Sequence, residues 1–261
     1  MTSAVPWPGP DPTLRFSRRA ADYARFRPRY PTAVIDVLRE EVGLTPSRIV
    51  ADIGSGTGIS TELFLANGNC VRAVEPNGEM RATAERLLRG RPGFRSVDGT
   101  AEATGLPPAS VDLVVAAQAF HWFDPEKARR EFRRILRPEG WVVLLWNRRL
   151  PESSPFARDY EAFLDSLEGA SAAHRRAHPA SDEVGRFFPG AFRERAVPHR
   201  QTLDFASLKG ALLSASYAPL EGEPGHDAMI AGLARIFEAR QADGCVAVDY
   251  ETRMYCGRLT P

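Results

Sequence analysis

The run from Ile49 to Gly58, Ile-Val-Ala-Asp-Ile-Gly-Ser-Gly-Thr-Gly, constrains the fold of this chain more than any other stretch. An apolar segment carries an acid, Asp52, near its end, and glycines follow at positions 54, 56 and 58. Glycine reaches the φ values that a tight strand-to-helix turn needs, and its missing side chain lets a ligand lie against the backbone. The acid indicates the kind of ligand. A phosphate site wants bare N–H groups and positive charge, whereas Asp52 places negative charge at a strand tip and suits an ammonium or sulfonium group. A dinucleotide fingerprint, G-x-G-x-x-G, would need glycine at position 59, where Ile59 stands. A nicotinamide-dependent oxidoreductase is therefore the weaker alternative.

Downstream, Cys70 to Val74 reads as a second strand ending at Glu75, where a carboxylate is placed to accept ribose hydroxyls. Met80, Ala84, Leu87 and Leu88 recur on one side of a helix running from about Asn77 to about Arg89. Short strands follow at Phe94 to Asp98 and Val111 to Ala117, the latter apolar enough to be buried on both faces of a parallel sheet. Asp124-Pro125 opens a helix with a cap and a first-turn proline, Leu136 to Gly140 closes it, and Trp141 to Trp146 is the next strand. This alternation predicts a doubly wound α/β fold.

The acid-x-G-x-G-x-G run resembles the first motif of the class I S-adenosylmethionine-dependent methyltransferases, and residues 49–147 carry the likeness. The runs Gly99-Thr100-Ala101-Glu102 and Ala119-Phe120-His121-Trp122-Phe123-Asp124, with Tyr23 to Pro31 upstream, are similar to the branch that includes aconitate methyltransferase-like proteins. The resemblance implies a mostly parallel, seven-stranded Rossmann-like sheet with an antiparallel last strand. It also implies S-adenosyl-L-methionine as cofactor, S-adenosyl-L-homocysteine as product, and a small-molecule acceptor, the further alternative being a methyltransferase-like binding protein without turnover. On this reading Asp52, Gly54, Ser55, Gly56, Gly58, Glu75 and Gln118 bind the cofactor, and Pro76 and Met80 pack on one adenine face. The family usually has Asp where this chain has Thr100, so Thr100, Glu102 or the backbone of Ala101 could meet the adenine edge. Tyr23 and Arg27, in a lid helix over residues 17–31, are the candidates for the methionine carboxylate. His121 leaves the tip of the fourth strand with an ordinary pKa near neutrality and is the candidate general base, or else an imidazole that braces its loop.

Four regions are expected: an arm and lid over 1–31, a cofactor-binding core over 32–149, a helical cap over 150–190, and the rest of the sheet with substrate-side helices over 191–261. Prolines 6, 8, 10 and 12 around Trp7 predict an extended arm. Strands are expected over 193–205 and 245–256, with helices around Leu208 to Tyr217 and over 226–241. His174 and His178 have the spacing of helical metal ligands but lack an acid or cysteine partner, so no metal is expected. Arg129, Arg130, Arg133, Arg134 and Arg137 form the wet side of an amphipathic helix, and a net charge of +1 gives no case for nucleic acid. Cys70, Cys245 and Cys256 form no C-x-x-C pair, no run approaches the ~20 apolar residues of a membrane helix, and no apolar signal core follows Met1, so a reduced, cytoplasmic protein is expected. Only Lys127 and Lys209 are lysines among 34 basic residues, a bias associated with G+C-rich bacterial genomes. Oligomeric state is not legible.

Overall fold

The structure, a computed structural model, describes residues 20–167, 181–215 and 217–259. The predicted proline-rich arm, the beginning of the lid helix, His174, His178 and Ser216 lie outside the described residues. In chain order the elements are α1 (Ala20–Phe26), α2 (Ala33–Val42), β1 (Ile49–Ile53), α3 (Ile59–Ala66), β2 (Cys70–Val74), α4 (Gly78–Leu87), β3 (Phe94–Val97) and β4 (Val111–Ala117). After a 3-10 turn, Phe120–Trp122, come α5 (Pro125–Ile135), β5 (Leu136–Arg149), a second 3-10 turn (Pro151–Ser153), α6 (Pro155–Ser166), α7 (Ser181–Phe187), β6 (Phe192–Asp204), α8 (Phe205–Leu213), α9 (His226–Arg240) and β7 (Cys245–Gly257).

The strands form one seven-stranded sheet in the order β3-β2-β1-β4-β5-β7-β6. The pairs from β3 to β5 are parallel, and β7 lies antiparallel to both β5 and β6, so the last strand alone is reversed. The two-residue period of a strand explains the core. Val114, Ala116, Val142 and Leu144 point to one face, against Ala128, Phe132 and Ile135 of α5. Leu113, Val115, Val143 and Leu145 point to the other, against Val34, Ile35 and Leu38 of α2 and Phe64 of α3. Both faces are apolar because both are covered. Each such Leu or Phe contributes roughly 1.5–3 kcal/mol by leaving water.

A third core lies over the β6–β7 end of the sheet. Phe156, Tyr160 and Leu164 of α6 share it with Leu208 and Leu212 of α8, Met229, Leu233 and Phe237 of α9, and Val246, Val248 and Tyr250 of β7. Gly210 gives the ring of Phe26 room to lie against α8, and α1 is thereby packed over the carboxyl ends of the strands.

One boundary departs from expectation. Leu136 to Gly140 belongs to β5 rather than to the end of a helix. Val111 pairs with Leu136 but Leu113 with Trp141, so residues 137–140 bulge out of the ladder, with Glu139 at φ 67°. The Pro138-Glu139-Gly140 signal stands for this bulge.

Candidate cofactor site

At the end of β1 the chain turns across the tip of β2, where the N–H groups of Gly54 and Ser55 both donate to the Val74 carbonyl at 2.9 and 3.1 Å. Gly54, Gly56 and Gly58 take φ of 68°, 57° and 89°, in the left-handed region that favours glycine. A Cβ at Gly54 would stand 2.6 Å from Ala119 Cβ, and one at Gly58 would stand 2.8 Å from Leu88 Cδ1. At these two positions the protein's own packing requires glycine. At Gly56 the nearest atom would be Met80 Cε at 3.6 Å, an ordinary contact, so the space beyond the loop is open there.

Two carboxylates support the loop. Asp52 is fully buried, and its Oδ2 accepts from Ser60 Oγ at 2.7 Å and Thr61 Oγ1 at 2.6 Å. Its Oδ1 accepts from no described residue. Burial pushes its pKa up to about 6 against the opposing pull of the two hydroxyls. Glu75 Oε2 accepts from the N–H of Gly56 at 2.9 Å and Oε1 from that of Asn77 at 2.8 Å. Burial holds its carboxyl above the ordinary range, while these hydrogen bonds and the nearby Arg81 pull it back. Asn77 caps α4 by accepting from the N–H groups of Glu79 and Met80, which sets Met80 beside Gly56.

A cleft open to solvent lies beside the loop. Six of the predicted residues line it: Tyr23, Arg27, Gly54, Ser55, Gly56 and Gln118. Arg27 donates from Nη2 to the Ser214 carbonyl at 3.1 Å and lies 5.1 Å from the ring centre of Tyr23, while its buried Nε meets no acceptor among the described residues. Gln118 sits at φ 56°, a conformation that costs a non-glycine residue about 1–3 kcal/mol. Its Nε2 donates to the Asn147 carbonyl at 3.5 Å, and its buried Oε1 accepts from no described residue. Two residues of the cleft lining thus each carry a buried polar atom with no partner among the described residues, a donor on Arg27 and an acceptor on Gln118.

Pro28, Tyr30, Ile59, Ser60, Ala117 and Asn147 complete the lining and are absent from the sequence-derived set. Tyr30 belongs to the Tyr23–Pro31 run, and burial, with Tyr23 and Asp52 nearby, raises its phenol well above the ordinary value. Asn147 carries no local signal at all. It reaches the cleft because β5 pairs beside β4.

The other predicted residues do not line the cleft. Asp52 and Gly58 lie in the loop's support, and Glu75, Pro76 and Met80 stand on the side of β2 and α4. Thr100 Oγ1 accepts from the N–H groups of Glu102 and Ala103 at 3.3 and 3.2 Å, and Ala101 is buried. Glu102 Oε1 accepts from the N–H of Asp124 at 2.8 Å, which ties this turn to the start of α5. His121 lies in the 3-10 turn after β4, half-buried, its ring centre 4.8 Å from that of Trp122. Among the described residues no three His, Cys, Asp or Glu side chains converge as metal ligands, and no helix is long and apolar enough to cross a membrane.

Known proteins agree with this arrangement. Residues 51–144 match the family described as "Methyltransferase domain". An uncharacterized methyltransferase of Mycobacterium tuberculosis is 40% identical over 139 residues, 53% of this chain and 54% of the relative. The chain thus spans about half the length of that relative. An uncharacterized methyltransferase-like protein of Schizosaccharomyces pombe is 29% identical over 259 residues, 94% of this chain and 96% of the relative. The solved structure of a proposed type II methyltransferase from Anaeromyxobacter dehalogenans superposes with a TM-score of 0.64 at 28% identity, covering 90% of this chain and 99% of that one. Residues 51–144 are thus similar to a methyltransferase domain, and the seven-stranded sheet around them has the Rossmann-like methyltransferase fold.

Proposed function

We propose that the protein transfers a methyl group from S-adenosylmethionine to a small-molecule acceptor. The observation that carries this reading is the Gly56 N–H held by the Glu75 carboxylate at 2.9 Å, which joins the two strand tips beside an open cleft. The residues present fit the cofactor. Arg27 has a free donor for a carboxylate, Gln118 a free acceptor for an ammonium group, and Glu75 further lone pairs for ribose hydroxyls. Asp52 adds negative charge beneath the loop.

When bound, the cofactor supplies an electrophilic methyl on a sulfonium. The chain's part is then to orient and enclose, and effective molarities equivalent to ~7–11 kcal/mol can come from positioning alone. Packing of α1 on α8 through Phe26 and Gly210 fixes Tyr23 and Arg27 at one side of the cleft. His121, three residues beyond Gln118, is the proposed acceptor of the substrate's proton. The runs around Thr100 and His121 favour the branch containing aconitate methyltransferase-like proteins, and the free thiols Cys70, Cys245 and Cys256 favour a reducing, cytoplasmic setting.

Titration calorimetry with S-adenosylhomocysteine tests the cofactor site. Glu75→Ala is expected to weaken binding by about 2–4 kcal/mol, the range for losing a buried charged partner. A change below twofold removes Glu75 from the ribose role. With an acceptor found by screening small acids, phenols and amines for S-adenosylhomocysteine production, His121→Asn is expected to lower turnover by roughly 10²–10⁴ and flatten the pH–rate profile, with cofactor affinity retained. A large loss of affinity and melting temperature in that variant makes His121 a brace instead.

A further inference from the structure

Asn147 of β5 and Thr252 of β7 stand directly opposite each other in the antiparallel ladder, so their side chains share one face of the sheet. Both are buried. Thr252 Oγ1 donates to Asn147 Oδ1 at 2.6 Å. A threonine hydroxyl has one proton, and this bond uses it. The bond also fixes the amide: with Oδ1 turned to Thr252, Nδ2 faces the other way and donates to the carbonyls of Pro28 and Arg29, each at 3.4 Å. Those carbonyls belong to the segment after α1 that brings Arg27, Pro28 and Tyr30 into the cleft. The Asn147 carbonyl in turn accepts from Gln118 Nε2. One residue thus holds the covering segment with its side chain and a strained cleft residue with its backbone.

We propose that Asn147 and Thr252 are positioning residues, a buried latch that locks residues 27–30 over the cleft, with Thr252 setting the amide orientation on which closure depends. The proposal rests on the reading of the cleft as the cofactor site. Thr252 does not line the cleft, so it acts only through Asn147. Without its hydroxyl, Asn147 Oδ1 is left buried and unsatisfied, and the amide is held toward the covering segment only by its two long Nδ2 bonds, at 3.4 Å each. A flipped amide would set Oδ1 against two carbonyl oxygens. A third strand backs the pair. His199 of β6 places Nδ1 3.4 Å from Thr252 Oγ1, with its ring stacked on Tyr250 at 5.1 Å.

Hydrogen exchange read by mass spectrometry, with and without S-adenosylhomocysteine, tests the latch in wild type, Thr252→Val and Thr252→Ser. Thr252→Val is expected to speed exchange in residues 23–31 by roughly tenfold while β5 and β7 stay protected, and to weaken S-adenosylhomocysteine by about tenfold through faster dissociation. Thr252→Ser, which keeps the donor, should restore both. Unchanged exchange in 23–31, faster exchange spread equally over β5 and β7, or failure of serine to restore would each overturn the proposal. If Thr252→Val does not fold, Asn147→Ala removes the same bonds to Pro28 and Arg29 and is read in the same way. A wild type that binds no S-adenosylhomocysteine refutes the cofactor reading, and the exchange of the ligand-free proteins then decides the latch by itself.

Discussion

Gly56 and Gly58 share a loop and a left-handed conformation, yet substitution at each should fail for a different reason. Valine at either position carries a backbone penalty of about 1–3 kcal/mol. At Gly58 the new side chain also meets Leu88 at 2.8 Å, and overpacking adds roughly 1–3 kcal/mol. Gly58→Val is therefore expected to lose the larger part of its melting temperature, whereas Gly56→Val should stay folded by circular dichroism and lose S-adenosylhomocysteine binding by calorimetry. Equal thermal losses, or undiminished affinity in Gly56→Val, would remove the distinction. Residue types and their spacing made Asp52, Gly56 and Glu75 legible in the chain, because a strand tip, a tight turn and a second strand tip each leave a local mark. They did not reveal that Glu102 is engaged by the Asp124 N–H, or that the glycines at 54 and 58 answer to Ala119 and Leu88. Those partners are distant in sequence, and the same residue type serves both purposes.

Helix α5 shows the corresponding limit for an element. Its arginines read as a wet face, which Arg130 and Arg133 are, but the same turns hold Glu131, which is buried. Glu131 Oε1 accepts from the N–H and hydroxyl of Thr104 at 2.9 and 2.5 Å, and both its oxygens accept from Arg134. The Arg134 guanidinium, with the Thr104 donors, pulls its pKa down to about 2. This network fastens the loop before β4 to α5. A carboxyl whose folded pKa lies below its unfolded value stabilises fully above about pH 4.5, and that stabilisation is lost as pH falls toward 2. Urea denaturation should show Glu131→Gln less stable than wild type at pH 7, with a smaller deficit at pH 3.5. A deficit independent of pH would mean that shape rather than charge matters there. The 3.6-residue period identified the helix and its buried side, but it treated every charged residue alike, since it carries no information about the loop that comes to lie on top.

For the whole molecule, the proposed cofactor reading makes the charge on Asp52 a link between ligand and stability. Its pKa is raised from 3.8 to about 6 because ionising a fully buried carboxyl is unfavourable, so this group makes the folded state less stable as pH rises from about 4 to 6. A cationic ligand offsets that cost only where Asp52 is ionised. The thermal shift given by S-adenosylmethionine should therefore be larger at pH 7.5 than at pH 5, and Asp52→Asn should flatten the difference while the ligand-free variant melts no lower than wild type at pH 7.5. A shift that does not vary with pH in wild type would separate Asp52 from the cation. The sequence by itself determined the alternation of strands and helices, the glycine turn and, by resemblance, the reversed last strand. Each rests on backbone preferences and periodicities that act over a few residues, or on motifs that recur as units. Only the tertiary structure decided that Asn147 joins Arg27 and Gln118 in one cleft, that Glu139 sits in a bulge, and that Thr252 reaches the segment at Pro28 through Asn147. These residues are brought together when both faces of the sheet are buried and the register of β5 against β7 is set, and strand pairing across more than a hundred residues leaves no trace in any local stretch of chain.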